Sequence, residues 1–206
     1  MIWHTCCAKD YTKILDYHEK RVICINFMAN CLSIPNMKTI FETRRLYLRQ
    51  LTFEDISSLS LVLSDQESMR HYPHAFSNEE VKEWIERNIK RYKNDGFGLW
   101  AVIRKVDNQF LGDCGITLQN IDGEILPEIG FHIIKEFCNM GYATEAAEAC
   151  KKYAIKVLGY KSIYSYSEIG NKASQRVSSK IGMNKVKTFK KDGIEEVVYE
   201  YKTELN

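Results

Sequence analysis

The residues best placed to do chemistry lie in one short stretch, Asn139-Met-Gly-Tyr-Ala-Thr144, between an apolar strand-like run, Ile129 to Ile134, and a helix-forming run, Ala146 to Leu158. The first N–H groups of a helix have no partner inside it, and the helix start carries about half a unit of positive charge. A strand–turn–helix junction is therefore a site for an anion such as a phosphate. Gly141 lets a ligand approach the backbone because no Cβ stands in the way, and Thr144 adds a hydroxyl in the first helical turn. Upstream, Glu128 and His132 share one face of the strand that feeds this turn, since strand side chains alternate. Such a carboxylate reads either as a base or as an ion-paired or solvated strand residue. Downstream, Asn171 and Ser174 stand at another helix start, where Asn171 reads as the cap. His71 and His74 are spaced to hold a metal. Pro73 breaks the local helix between them and no further ligand is near, so the stretch reads as a substrate-facing loop and no metal is expected.

Composition narrows the classes. The 206 residues suffice for one globular domain, and 45% apolar with 27% charged residues is ordinary for a soluble protein. A net charge of +2 is too small for a nucleic-acid surface, so no nucleic-acid partner is expected. No apolar run approaches the roughly 20 residues of a membrane span, so no membrane partner is expected either. The Met1 end lacks the basic and apolar regions of a secretory leader. Seven cysteines without metal-ligand spacing read as reduced thiols of a cytoplasmic protein. Residues 1–36 hold Cys6, Cys7, Cys24 and Cys31 and show only a weak apolar pattern. They read as an N-terminal extension to a domain over 37–206. Either the extension covers the domain edge, or translation starts at Met37; the intact mass of the natively expressed protein separates the two.

The elements that must position these residues follow from periodicity. Arg44 to Leu51 alternates as a half-buried strand, and Thr52 with Glu54-Asp55 opens a helix through Ile56 to Leu63. Ser77 and Glu80 form a capping-box pattern ahead of an apolar face at Val81, Trp84, Ile85, Ile89 and Tyr92, ending near Asp95-Gly96. Strands are predicted at Leu99 to Arg104, Gln109 to Leu118 and Glu124 to Ile134, with turns at Asp107-Asn108 and Asn120 to Gly123. Gly112 and Gly115 predict a bend or a close backbone approach. After the helix at 142–158 comes a strand at Lys161 to Ser167, parallel to its predecessor because a helix separates them. A helix capped by Asn171 and ended by Gly182, then a hairpin over Asp192-Gly193, complete the chain.

Gly141-Tyr-Ala-Thr-Glu-Ala resembles the coenzyme A pyrophosphate loop of the GNAT N-acetyltransferases, in the RimJ/RimL branch. Thr43-Arg-Arg-Leu-Tyr-Leu-Arg-Gln-Leu-Thr-Phe-Glu-Asp55 resembles that branch's opening, as does Leu63 to Tyr72. Asn171-x-x-Ser174, followed by Lys180-Ile-Gly-Met183, resembles its second cofactor motif. The likeness runs from Met37 to about Tyr201, with motifs in family order. Cys138 stands where the loop usually has Gln or Arg, and Ser178 where many members place an acidic tyrosine. The implied fold is α+β, a mixed and mostly antiparallel sheet of about seven strands flanked by about four helices. The fourth and fifth strands splay in a V that admits the pantetheine arm.

The resemblance implies acetyl transfer from acetyl-CoA to a primary amine by direct attack in a ternary complex. It places backbone of Ile133 and Lys135 beside the pantetheine, the loop Asn139, Met140, Gly141, Tyr142, Ala143 and Thr144 on the pyrophosphate, and Asn171 across the arm. An N–H near His132 or Ile133 is the expected oxyanion donor, Ser174 the partner of the departing sulfur, and Glu128 the base. A lysine amine, pKa about 10.4, is neutral in roughly one molecule per few thousand at pH 7, and an α-amine, pKa about 8, in roughly one per ten. That difference of about 3 kcal/mol favours an α-amine, such as a protein N-terminus, at a site with one carboxylate. A small-amine acceptor, polyamine or aminoglycoside, and a non-catalytic acyl-CoA-binding module are the alternatives. A monomer or homodimer is expected.

Overall fold

The structure, a computed structural model, describes residues 39–203; the expected extension over 1–36 lies outside the described residues. Eight strands form one sheet: β1 Thr39–Glu42, β2 Leu46–Gln50, β3 Leu99–Arg104, β4 Gln109–Ile121, β5 Glu124–Ile133, β6 Ser162–Glu168, β7 Asn184–Lys191 and β8 Ile194–Lys202. The helices are α1 Ile56–Leu63, α2 Asn78–Asn94, α3 Tyr142–Lys156 and α4 Lys172–Lys180. The strand order is β1-β2-β3-β4-β5-β6-β8-β7, and every pairing is antiparallel except β5 with β6. β1 is the strand beyond the expected seven. It folds back on β2 through the Thr43–Arg45 turn, where the Thr43 hydroxyl accepts from the Leu46 N–H at 3.0 Å.

Both faces of the sheet are covered, which is why β3 reads as an unbroken apolar run. Trp100 and Val102 point into a core with Ala146, Ala147 and Cys150 of α3. Ala101 and Ile103 point the other way, against Leu59 and Leu63 of α1 and Val81 and Ile85 of α2. The cap signals act as expected. The Ser77 hydroxyl accepts from the Glu80 N–H at 3.2 Å while the Glu80 carboxylate accepts from the Ser77 N–H at 2.8 Å. Among the described residues no helix is long and apolar enough to cross a membrane.

Two features of the sheet position the site. β5 and β6 share a single parallel register pair, Glu128 with Tyr164, so beyond it they diverge. This is the splay, between the fifth and sixth strands once β1 is counted. The bend expected at Gly112 is a bulge: the β3–β4 register slips between Val102 and Ile103, and Gly112 adopts φ +142°. A Cβ there would stand 2.0 Å from the His132 carbonyl oxygen. At Gly115 a Cβ would meet the Gly98 carbonyl oxygen at the same 2.0 Å. Both glycines are needed because other backbone occupies the space.

Candidate active site

The loop between β5 and α3 alternates backbone handedness. Asn139 and Gly141 are left-handed, φ 61° and 81°, and α3 starts directly after Gly141 with no side-chain cap. The first intrahelical bond runs from the Glu145 N–H to the Gly141 carbonyl at 3.0 Å. The N–H groups of Tyr142, Ala143 and Thr144 therefore precede the helical ladder and face out of the helix start. Successive N–H groups on such a backbone form a concave anion cradle. By contrast, α2 and α4 have their starts occupied by Ser77 and Asn171.

The cradle has a neighbour that the sequence did not announce. Arg45, in the β1–β2 turn, donates from Nη1 to the Met140 carbonyl at 3.0 Å and pairs through Nε with Glu145 at 2.6 Å. Its guanidinium lies 4.4 Å from the centroid of the Tyr142 ring. Glu145 also accepts from the Thr43 hydroxyl at 2.7 Å and the Arg45 N–H at 2.8 Å. Burial works to raise the Glu145 pKa, and these donors outweigh it and hold the carboxyl below its usual range. A fixed cation thus stands beside a loop whose own first position is Cys138.

The face of the sheet under α1 and α2 carries the titratable groups. Register pairs Asp113 with His132, Gly115 with Gly130 and Thr117 with Glu128. Glu128 is buried and accepts from the Thr117 hydroxyl at 3.2 Å. Burial pushes its pKa up to about 7, against the pull of Thr117, His132, Arg91 and Lys191. His132 donates from Nδ1 to Asp113 Oδ1 at 2.7 Å, and Trp84 Nε1 donates to Asp113 Oδ2 at 2.9 Å. Burial works to lower the His132 pKa, but Asp113, with Glu128, raises it above the ordinary imidazole value. The Tyr72 hydroxyl sits 2.6 Å from His132 Nε2. Tyr72 as a residue is 40% exposed, while its hydroxyl bonds the buried side of the site at His132, and burial followed by the fields of Glu128 and Asp113 pushes its pKa up.

The connection between α1 and α2 crosses the splay at this level. His71 bonds Glu168 of β6 at 2.8 Å, and Tyr72 bonds His132 of β5. His132 and Glu168 each lie four residues past the single β5–β6 pair. His74 turns instead to Glu80, 2.7 Å away, so the two histidines of the His71–His74 stretch serve different carboxylates.

The other expected residues are placed as follows. Ile133 is buried at the end of β5, and Lys135 opens the exposed turn after it, its amine on Glu67. Tyr142 buries its ring, so only its N–H is free for a ligand; Met140 is exposed. Asn171 Oδ1 is committed to the Ser174 N–H at 3.1 Å, the cap role. Ser174 is half-buried one turn above Ser178, whose buried hydroxyl donates back to the Ser174 carbonyl at 3.3 Å. Ser178 is therefore a helix-internal hydroxyl with its proton spent. Asp113, Tyr72 and Trp84 escape a motif reading because they lie on three separate elements. A signal for Asp113 existed. Asp122 and Gly123, φ 56° and 89°, make a two-residue hairpin turn. Counting eight residues back from Ile121 and eight forward from Glu124 places Asp113 opposite His132.

A helix start that presents bare N–H groups at the mouth of a splayed parallel pair suits a diphosphate with a thioester tail, and that defines the class as acyl-CoA transferases. The chain belongs to the GNAT acetyltransferases: the model of the acetyltransferase (GNAT) domain matches residues 45–184. Among its relatives is the uncharacterized protein YkkB of Bacillus subtilis (strain 168), 35% identical over 169 residues that cover 82% of this chain and 98% of that one. A GNAT-family acetyltransferase from Bacillus anthracis superposes with TM-score 0.66 at 28% identity, covering 81% of this chain and 97% of that one. RimL, the ribosomal L7/L12 α-N-protein acetyltransferase, solved in complex with coenzyme A, gives TM-score 0.67 at 16% identity, with coverage of 80% and 98%. That last likeness is one of fold. The protein is an acetyl-CoA-dependent N-acetyltransferase.

Proposed function

We propose that the acceptor is a primary amine, in the first place the α-amine of a polypeptide, acetylated by direct attack in a ternary complex. The observation that carries this reading is Glu128, a buried carboxylate whose pKa burial pushes up to about 7, on the strand that lines the splay. A base of that strength suits an amine of pKa about 8 far better than one of about 10.4. RimL, named for a protein α-amine, shares the fold.

Acetyl-CoA supplies the activated acyl thioester. The N–H groups of Tyr142, Ala143 and Thr144, with backbone of Asn139, Met140 and Gly141, hold its diphosphate, and Arg45 adds charge beside them. Backbone of Ile133 and Lys135 and the remaining amide hydrogens of Asn171 border the pantetheine. Glu128 takes the first proton from the incoming ammonium, and the Ser174 hydroxyl meets the departing sulfur.

Two measurements test this. Acetyl-CoA is expected to raise the melting temperature, and free thiol to be released with a peptide bearing a free α-amine more readily than with spermidine or kanamycin. Preference for spermidine or kanamycin would replace the α-amine reading, and stabilisation without thiol release from any of them would leave only a binding module. Gly141→Glu puts charge and bulk into the cradle and is expected to weaken acetyl-CoA binding at least tenfold. Gly141→Asn, which tolerates a left-handed backbone, is the control. Unchanged affinity in Gly141→Glu would remove the loop from the site.

A further inference from the structure

Acylation of an ammonium removes two protons from one nitrogen. Glu128 accounts for the first, and the site as described so far has no group for the second, which leaves as the C–N bond forms. A second hydrogen-bonded chain ends at the same place. His132 Nδ1–H donates to Asp113, which fixes the neutral tautomer and turns the lone pair of Nε2 toward the Tyr72 hydroxyl, 2.6 Å away. Both Asp113 oxygens are used, one by His132 and one by Trp84, and the residue is fully buried. A buried carboxylate is costly, and here it serves to orient one imidazole and to make it more basic, the arrangement that makes histidine a base in hydrolytic triads. The hydroxyl at the other end belongs to the segment that crosses the diverging strands, anchored on β6 by His71 and Glu168.

We infer that Tyr72, His132 and Asp113 form a proton relay for the second proton: Tyr72 is the catalytic residue that touches the acceptor nitrogen, His132 the base behind it, and Asp113 a positioning residue. This rests on the acetyl-transfer reading above and extends it. As the nitrogen forms its bond to the acyl carbon and the C–S bond breaks, the proton on nitrogen passes to Tyr72 Oη while the phenolic proton passes to His132 Nε2. The sulfur leaves with the bonding electrons and takes up one proton from solvent, and Glu128 and His132 each return the proton they accepted to solvent, a net release of one proton per turnover. Nothing is oxidised or reduced. Tyr72 never becomes a free phenolate, which its burial disfavours. Imidazole is the accepting base.

The groups facing the relay are Asp113 on β4, Glu128 on β5, Tyr166 on β6 and Glu196 on β8, with Arg91 on α2 and Lys191 on β7 facing Glu128. Only Asp113 bonds His132 directly among the charged ones, so neutralising it isolates the relay. The full chain is assayed by thiol release across about pH 6 to 9 with the α-amine peptide, spermidine and kanamycin, alongside acetyl-CoA affinity. Tyr72→Phe is expected to lower kcat roughly 100-fold or more with acetyl-CoA affinity within about twofold. Asp113→Asn is expected to lower kcat and also to move the acidic limb of the pH profile to lower pH, because His132 loses the anion that raises its pKa. A purely structural Asp113 would lower activity without moving the limb. Nitrogen NMR of the wild type, which needs neither variant to fold, is expected to show the Nδ1–H tautomer of His132 titrating above 6.5; the other tautomer overturns the relay. Wild-type kcat in a folded Tyr72→Phe overturns it too, leaving acetyl transfer intact. Absence of thiol release by the wild type with every amine overturns acetyl transfer and the relay together.

Discussion

Glu128 shows how one buried side chain can tie stability to pH. Its carboxyl titrates at 4.5 when exposed and near 7 in the fold, so between those values the native state binds more protons than the unfolded one. Stability therefore falls as pH rises through this window. At 1.36 kcal/mol per pKa unit the loss is about 3 kcal/mol. His132, also raised, contributes in the same direction: its share is present below the unfolded imidazole value and is lost as pH rises through the folded one. Glu128→Gln cannot ionise, and its amide fits the space beside Thr117. It is expected to melt well above the wild type at about pH 8 and level with it at about pH 4, below the unfolded-state value. An equal gap at both pH values would mean that Glu128 ionises in the fold no less easily than in water. The same variant is expected to lose thiol release, since a carboxamide takes no proton. Stability gained and activity lost by one substitution is the pattern of a residue kept for chemistry at a cost to the fold.

The elements of the sheet hold the site by close backbone approach as much as by side chains. Gly112 lets β4 bulge against β3 directly before Asp113, and its missing Cβ leaves room for the His132 carbonyl. Gly112→Ala meets both a positive φ of 142° and a 2.0 Å overlap with backbone. It is expected to cost about 3 kcal/mol or more, a melting temperature lower by roughly 6–12 °C at this chain length. A loss below about 1 kcal/mol would mean that the bulge relaxes freely. The need for some bend was legible at Gly112, as the caps were at Ser77 and Asn171, because each is a local demand of the backbone on residue type. The glycine loop, the crossover helix and the parallel strand after it were legible for the same reason, and family resemblance supplied the splay. β1 was hidden because Thr39–Glu42 has only four residues and pairs through a turn whose partners, Glu145 among them, lie about a hundred residues away. Tyr72, Trp84, Asp113 and Arg45 were hidden for a related reason. Each is unremarkable in its own segment, and its role appears only when a strand pairing or a chain crossing brings it to another element.

The molecule as a whole divides its labour across one sheet. One face packs α3, whose start presents the bare N–H groups; the other packs α1 and α2 and carries the titratable groups. The faces meet at the gap between β5 and β6, where among the described residues the two strands share a single register pair. The β6-facing edge of β5 beyond Glu128 and the first N–H groups of α3 lack ladder partners. Amide hydrogens there exchange without unfolding, whereas those of β3 and β4 wait for larger openings of the core. A ligand seated in the gap protects the first group directly. It also stabilises the entire fold by mass action, about 2.7 kcal/mol at a concentration of 100 Kd. Hydrogen exchange with saturating acetyl-CoA is therefore expected to give two signatures. Peptides covering 129–133 and 139–145 slow at the shortest times, and β3 and β4 slow only at long times, by a uniform factor set by the binding free energy. Arg45 links the regions, since its bonds to Met140 and Glu145 join the β1–β2 turn to the start of α3. The peptide spanning 43–46 is thus expected to follow the early group. Early protection confined to α4 and β8, with 129–133 and 139–145 unchanged, would place the ligand on another surface and leave the gap as a mere fault in the sheet.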